Sequence, residues 1–376
     1  EAPQVSSLIP DVRRIIPLHG VAGAQMVSTA VVAPLLLVHS GARGLAEAIP
    51  ARAGQSMLRT IAPECVGEHH GGGGARISDA YLSPVGGVRT DGSLLLSRGR
   101  SMSSGFPAIG PLPFEIALSC PVARGPFSGS SVTCSHDFVR LSVAVVLVGT
   151  GGVGGSCCVL LTRRTPKMRT FPRAWVCPGG AVDPGEDPRE AAAREVREEV
   201  GVGVVPSSLE PLCLWESVYP TTREACLSDG RIRGHSLVLF YKAELDMATA
   251  TSQLRLQVEE TDAAVWMPTR HLWAFSLQVA QRSSDGRLVR GGDVNIRLAG
   301  MVLGSEDVKD LRRHVRLSDL AQLYPSGDGN LSGCGEAHMF ALRELALLPG
   351  VMPTGENGAG LVACTHEGDD VGRSRL

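Results

Sequence analysis

Aromatic residues are scarce here: Phe, Trp and Tyr together make up 4% of 376 residues. So few rings disfavour a stacking platform that tracks single-stranded nucleic acid. Charge is nearly balanced, with 36 Lys and Arg against 38 Asp and Glu and a formal net charge of −2. No global basic field steers the chain to a polyanion, although a local basic channel stays open. The ten cysteines are scattered, at Cys65, Cys120, Cys134, Cys177 and Cys334 among others, and none forms a C-x-x-C pair. That pattern points to reduced, buried thiols in an intracellular protein. Cys157 and Cys158 fall in a predicted strand and are expected to face opposite ways. Long apolar runs are also missing: Gln25, Ser28, Thr29 and Pro34 interrupt residues 21–38, so no membrane span is expected. No basic segment followed by an apolar core opens the sequence, and Glu1 stands where Met would, so a truncated or processed start is expected.

Apolar residues make up 43% of the chain, enough for a sizeable core in one large or two ordinary domains. Residues 1–135 are uneven, with Gly71 to Gly74, a Ser/Arg-rich stretch at 97–104 and many prolines. They predict a partly ordered N-terminal extension. Within it, Asp91-Gly92 is a turn signal between strand-like runs over 88–96. From residue 136 the pattern sharpens into a domain expected to run to 350. Phe138 to Val148 and Cys157 to Arg164 predict two strands joined by a glycine loop. That loop lacks the Gly-Lys-Ser/Thr ending of a P-loop and reads as a hairpin connection. Further strands are expected at Trp175–Cys177, 235–245 and 263–267, and helices at 188–200, 305–323 and 335–348. The order β-β-β-α-β-β-α predicts an α/β fold, a mixed sheet with helices on both faces. Residues 351–376 are expected to form a flexible tail.

Chemistry concentrates in residues 180–202, G-A-V-D-P-G-E-D-P-R-E-A-A-A-R-E-V-R-E-E-V-G-V. Asp187 is placed to cap a helix, Pro188 suits its first position, and Glu190 sits where a capping box puts its acid. Gly201 supplies a C-terminal stop. Ala192, Val196 and Val200 form an apolar stripe. Glu195, Glu198 and Glu199, at i, i+3 and i+4, share the opposite face. Three carboxylates on one exposed patch repel one another, and a hard divalent cation such as Mg²⁺ or Mn²⁺ turns that repulsion into ligation. A bare E-x-x-E-E would read as a solvated acidic face; Arg194, Glu186 and the Pro178-Gly179-Gly180 turn argue against that reading.

This segment resembles the Nudix hydrolase signature at every fixed position. The likeness covers roughly residues 138–350. Within the family it is nearest to the nucleoside diphosphate-linked moiety X motif 17 type, through LLTRR at 160–164 with TFPRAWVCPGG at 170–180, LWESVYP at 214–220 and MFALREL at 339–345. The resemblance implies an α/β/α sandwich and hydrolysis of a nucleoside diphosphate derivative, with a capped RNA end as one substrate. It implies that Glu195, Glu198 and Glu199 ligate Mg²⁺ or Mn²⁺ with the backbone carbonyl of Gly179. Gly180, Glu186, Arg194 and Gly201 are then structural parts of the motif, with Arg194 holding Glu186. Glu195, Glu198 and Glu260 are the acids expected in catalysis, Glu195 and Glu260 being the candidates for the general base. Glu216 is a further candidate on the same footing as Glu260, and His235 and His338 read as structural.

A second resemblance is to peroxisomal coenzyme A diphosphatases, through Leu160 to Thr165 and Met168-Arg169. It breaks at Arg173 and Cys177. The ending Ser374-Arg375-Leu376 is similar to the peroxisomal import signal, so a peroxisomal address, with the import receptor as partner, is expected; the alternative is cytoplasmic. The rival class of function is a catalytically silent Nudix module that binds nucleotide or protein; all three helix carboxylates being present argues against it.

Overall fold

The computed structural model describes residues 35–38, 49–61, 77–84, 94–98, 111–123 except 118, 127, 131–151, 157–272, 297–302, 311–321, 324 and 333–351. Its centre is a mixed sheet. Strand β1 is Pro111–Ile116, β2 Arg140–Thr150, β3 Cys158–Arg164, β4 Gly179–Ala181, β5 Glu210–Tyr219, β6 Gly234–Asp246 and β7 Thr261–Pro268. Across the sheet the order is β7-β3-β2-β6-β5-β1, and β4 pairs with β2 off this path. The long β2 and β6 run parallel, from Ser236 beside Arg140 to Asp246 beside Thr150. The other central pairs are antiparallel, apart from β5 with β1.

Strand β2 shows why this sheet is covered on both faces. Its side chains alternate, as a pleat requires. Val143, Val145 and Leu147 enter one core with Ala191, Ala192, Val196 and Val200 of helix α2, Pro188–Val200. Helix α1, Met57–Ile61, packs into the same core. Ala144, Val146 and Val148 enter the other, with Phe340, Leu342 and Leu345 of helix α3, Glu336–Ala346. A strand buried on both sides reads as an unbroken apolar run, which is what VAVVLV at 143–148 is. Each fully buried Val or Leu contributes about 1.5–3 kcal/mol.

Three expectations change. Residues 305–323 are not one helix: Leu311–Arg316 is a strand paired antiparallel with Arg297–Val302, and among the described residues of that range only Leu317–Ala321 is helical. Pairing with a neighbouring strand overrode the local helical preference there. LWESVYP, up to Tyr219, lies in β5, a ten-residue strand the sequence pattern had not marked. The N-terminal region shares the sheet, because β1 pairs with β5 and strands at 77–84, 94–98, 35–38 and 49–50 continue beyond it. Ile77–Pro84 and Leu94–Arg98 are paired, but the Asp91-Gly92 turn lies outside the described residues. So do the glycine loop at 152–156, most of residues 21–38 and the tail with Ser374, Arg375 and Leu376. Among the described residues no helix is long and apolar enough to cross a membrane. The eight described cysteines are all free thiols.

Candidate metal-binding and hydrolytic site

The site is a glycine turn clamped between a strand and a helix. Gly179 and Gly180 pair with Ala144 and Val143 of β2. A Cβ on Gly179 would lie 2.2 Å from the Val143 carbonyl oxygen, so only glycine fits. A Cβ on Gly180 would lie 2.5 Å from the carboxyl carbon of Glu195. The missing side chain is thus the space in which that carboxylate sits.

Helix α2 supplies the acids. Asp187 caps it by accepting the Arg189 N–H at 2.8 Å, and Gly201 ends it with φ 72°, its N–H donating to the Arg197 carbonyl. The expected capping box does not form, since among the described hydrogen bonds Asp187 makes the cap without Glu190. Glu186 works one step earlier, its Oε2 accepting the Asp183 N–H at 3.0 Å.

Arg194 organises the turn. Its Nε and Nη2 bind both oxygens of Glu186 at 2.8 and 2.9 Å, a bidentate pair. Nη2 also donates to the Ala181 carbonyl at 3.1 Å, tying helix to turn. Nη1 reaches Glu195 at 2.9 Å and Glu198 at 3.1 Å. The Arg194 hydrogen bonds hold the Glu186 carboxyl below its usual range.

The three helix acids do not share one exposed patch, as their spacing alone suggested. Glu198 is half exposed, Glu195 is partly buried, and Glu199 is buried at 5% exposure. The glycine turn folds back over the helix and covers Glu199, whose Oε2 accepts the Gly179 N–H at 3.2 Å. Burial pushes the Glu199 carboxyl up to about 8; the Gly179 bond opposes this, and the charges of Glu195 and Glu260 add to it. Burial also raises Glu195, with Arg194 opposing.

Glu260 precedes β7, far from α2 in sequence. The structure brings it to the same place, where its charge acts on both Glu195 and Glu199. Its backbone carbonyl accepts the Thr165 N–H at 2.8 Å, which ties this turn to the end of β3. Arg164 is a neighbour that sequence reasoning missed: its positive charge favours the ionised form of Glu199. It was legible only as one arginine of LLTRR, and nothing in that run separates it from Arg163, which pairs with Asp262.

Glu216 is not part of this site. It is fully buried and accepts hydrogen bonds from Ser56, Met57, Leu58 and His235. His338 is structural, as its lone position suggested: Nδ1 accepts the Cys177 N–H at 3.0 Å. Burial pushes its pKa down to about 3.

Whether these acids suit a divalent cation follows from the donors. All are hard carboxylate oxygens, the chemistry Mg²⁺ and Mn²⁺ take. The charge of Glu260 disfavours the ionisation of both Glu195 and Glu199, that of Glu195 disfavours Glu199 as well, and a cation would relieve this. Among the described residues no three His, Cys, Asp or Glu side chains already converge on one point. Glu195 and Glu198 instead turn to Arg194, and Glu199 to Gly179. The donor set fits, in an arrangement held ready by Arg194 and the turn.

A NUDIX domain family model matches residues 139–287. The chain is 31% identical over 125 residues to the Nucleoside triphosphatase NudI of Salmonella schwarzengrund, covering 33% of this chain and 83% of that protein. The chain belongs to the Nudix family. Within this family it is similar to the m7GpppN-mRNA hydrolase NUDT17 of Xenopus laevis, at 38% identity over 113 residues, 30% of this chain and 37% of that protein. With NUDT17 of Bos taurus the identity is 33% over 185 residues, 46% of this chain and 58% of that protein. The match thus spans between 37% and 58% of these two NUDT17 relatives. A Nudix α/β/α sandwich accounts for the two cores and the placement of α2 over β2 and β4.

Proposed function

We propose that this chain is a divalent-metal-dependent hydrolase that cleaves the diphosphate linkage of a nucleoside diphosphate derivative, a capped RNA end among the candidates. The observation that carries this reading is the pair of under-compensated acids Glu195 and Glu199, with the charge of Glu260 acting on both, beside a turn in which only glycine fits. NUDT17 and NudI, by name an mRNA-cap hydrolase and a nucleoside triphosphatase, bracket the same class of substrate.

Bound Mg²⁺ or Mn²⁺ neutralises charge on a diphosphate and makes a water more acidic. Glu195, Glu198 and Glu199, with the Gly179 carbonyl, are the residues assigned to hold it. Arg194 keeps Glu195 and Glu198 aligned and ties α2 to the turn. Glu260, partly exposed and on a separate loop, is assigned as general base, taking the proton of the water that attacks phosphorus. Glu195 is the alternative for that role. Arg164 adds positive charge where phosphate oxygens would lie.

The test is a panel of capped dinucleotide, ADP-ribose, NADH and coenzyme A, assayed with Mg²⁺ and with Mn²⁺. Turnover of at least one substrate to a nucleoside monophosphate-type product, abolished by EDTA, is expected. No turnover of any with either metal would overturn the reading. We further propose that Ser374-Arg375-Leu376 addresses the chain to peroxisomes. A fluorescent protein ending in the last dozen residues should then enter them, and should stay cytosolic without Leu376.

A further inference from the structure

The segment between β3 and the glycine turn is strained. Phe171 has φ 50° and Arg173 φ 64°, left-handed values that non-glycine residues rarely adopt. Such residues persist where their surroundings fix them, and they cluster at functional sites. Here the fixing is visible. The Arg173 N–H donates to the Arg164 carbonyl at 3.1 Å, and the Ala174 N–H to the Phe171 carbonyl at 3.2 Å. Arg164 Nε donates to the Thr170 carbonyl at 3.2 Å. The Thr165 N–H and hydroxyl donate to the carbonyls of Glu260 and Glu259.

This clamp presents the Phe171 ring to two tyrosines from distant parts of the chain. Its centroid lies 6.4 Å from Tyr219, at the end of β5, and 6.0 Å from Tyr324, both edge-on. Two of the chain's four tyrosines are spent on this one contact. All three rings are partly exposed. Among the described residues, none of the three belongs to either hydrophobic core or packs against one. A strained loop that gathers rings outside both cores is not explained by packing.

Position and charge identify what covers them. Arg164 braces the loop, and its charge acts on both Tyr324 and Glu199, so the rings and the acid site flank one arginine. Exposed Lys167, Arg169 and Arg173 lie on the same loop with no acidic partner among the described residues. An anion held near Arg164, with a planar group continuing from it onto the rings, matches this layout. The flanking cations disfavour a positively charged ring.

We propose that Phe171, Tyr219 and Tyr324 form a seat for one uncharged nucleobase of the substrate, and that this seat sets its affinity for nucleotides. The proposal rests on the hydrolase reading. The scarcity of aromatics disfavours a platform that tracks a strand, not a seat for one base.

The test is equilibrium binding by the full chain, in Mg²⁺, of ADP and of inorganic pyrophosphate, which has no base. Wild type should bind ADP more tightly. Phe171→Leu and Tyr324→Leu should each weaken ADP roughly tenfold, the order expected for one base stack, and leave pyrophosphate within about twofold. Phe171→Tyr and Tyr324→Phe keep a ring and should bind ADP like wild type. Equal losses for both ligands would overturn the seat and leave the hydrolase reading standing. So would wild-type binding of ADP no tighter than pyrophosphate. Tighter binding of 7-methyl-GDP than of GDP would overturn its preference for an uncharged base. A wild type that binds neither ADP nor pyrophosphate would remove the hydrolase reading and the seat with it.

Discussion

Two buried glutamates stand at the two ends of this molecule's logic. Glu216 lies in the middle of the sheet, fully buried, and four donors converge on it. Ser56, Met57 and Leu58 come from the N-terminal segment, and His235 from β6 alongside. The His235 Nδ1 in turn accepts the Gly54 N–H at 3.1 Å, so every polar atom of that cluster is used. Glu199 is nearly as buried, yet it accepts one backbone N–H and faces two other acids. A carboxylate saturated with donors is architecture; one left short of them keeps an appetite for positive charge. The same residue type, at similar depth, therefore fastens a chain segment in one place and stands ready for a cation in the other.

Glu216→Ala should produce the largest change. It strands the Ser56 hydroxyl, two backbone N–H groups and His235 in the interior, a loss on the order of 4 kcal/mol. Denaturant unfolding checks this, and a midpoint like that of wild type would mean that Glu216 fastens nothing.

Glu199→Gln and Glu198→Gln should act the other way. Metal-dependent turnover on the best substrate should fall at least ~10²-fold, as for loss of a main electrostatic stabiliser. The melting temperature of the metal-free Glu199→Gln protein should hold or rise, because a poorly compensated buried acid has gone. Near wild-type turnover in both variants would show that this helix is not the metal site.

Arg194→Ala should cost about 1–3 kcal/mol of stability, since it leaves Glu186 and the Ala181 carbonyl without their partner. An unchanged melting temperature with a raised KM would move Arg194 from the turn to the substrate.

The gentlest test is pH. The Glu199 carboxyl is about 8 when folded, against a usual value of 4.5. Between those values the folded chain holds more protons than the unfolded one. Its contribution to stability is therefore complete below about 4.5 and is lost as pH rises through about 8. His338 has the opposite sign: lowered to about 3 from 6.5, it withdraws stability as pH falls below 6.5. Melting of the metal-free protein between pH 6.5 and 8.5 thus isolates the acid cluster. A decline that flattens in Glu199→Gln and in saturating Mg²⁺ is expected; the same decline in all three would disconnect Glu199 from it.

The narrower Nudix likeness gains a physical meaning from this comparison. LWESVYP contributes Glu216. MFALREL contributes Arg343, whose Nη2 binds Glu115 of β1 at 2.6 Å. Both passages fasten the N-terminal segment to the sheet rather than touch the acids of α2.

The sequence by itself determined the glycine turn, helix α2 with both its limits, the identity of its acids and the covering of β2 on two faces. Those features are local: they follow from periods of 3.6 and 2, from a capping aspartate and from glycines where no Cβ fits. Only the tertiary structure decided that Glu199 is covered while Glu198 is exposed, because the cover is a turn twenty residues away. It alone brought Glu260 and Arg164 to α2, saturated Glu216 with donors from residues 56–58, joined the N-terminal strands to the sheet and gathered Phe171, Tyr219 and Tyr324. Each of these is a pairing between distant segments. Pairing of that kind depends on which partners the sheet order makes neighbours, and no local pattern of residues records it.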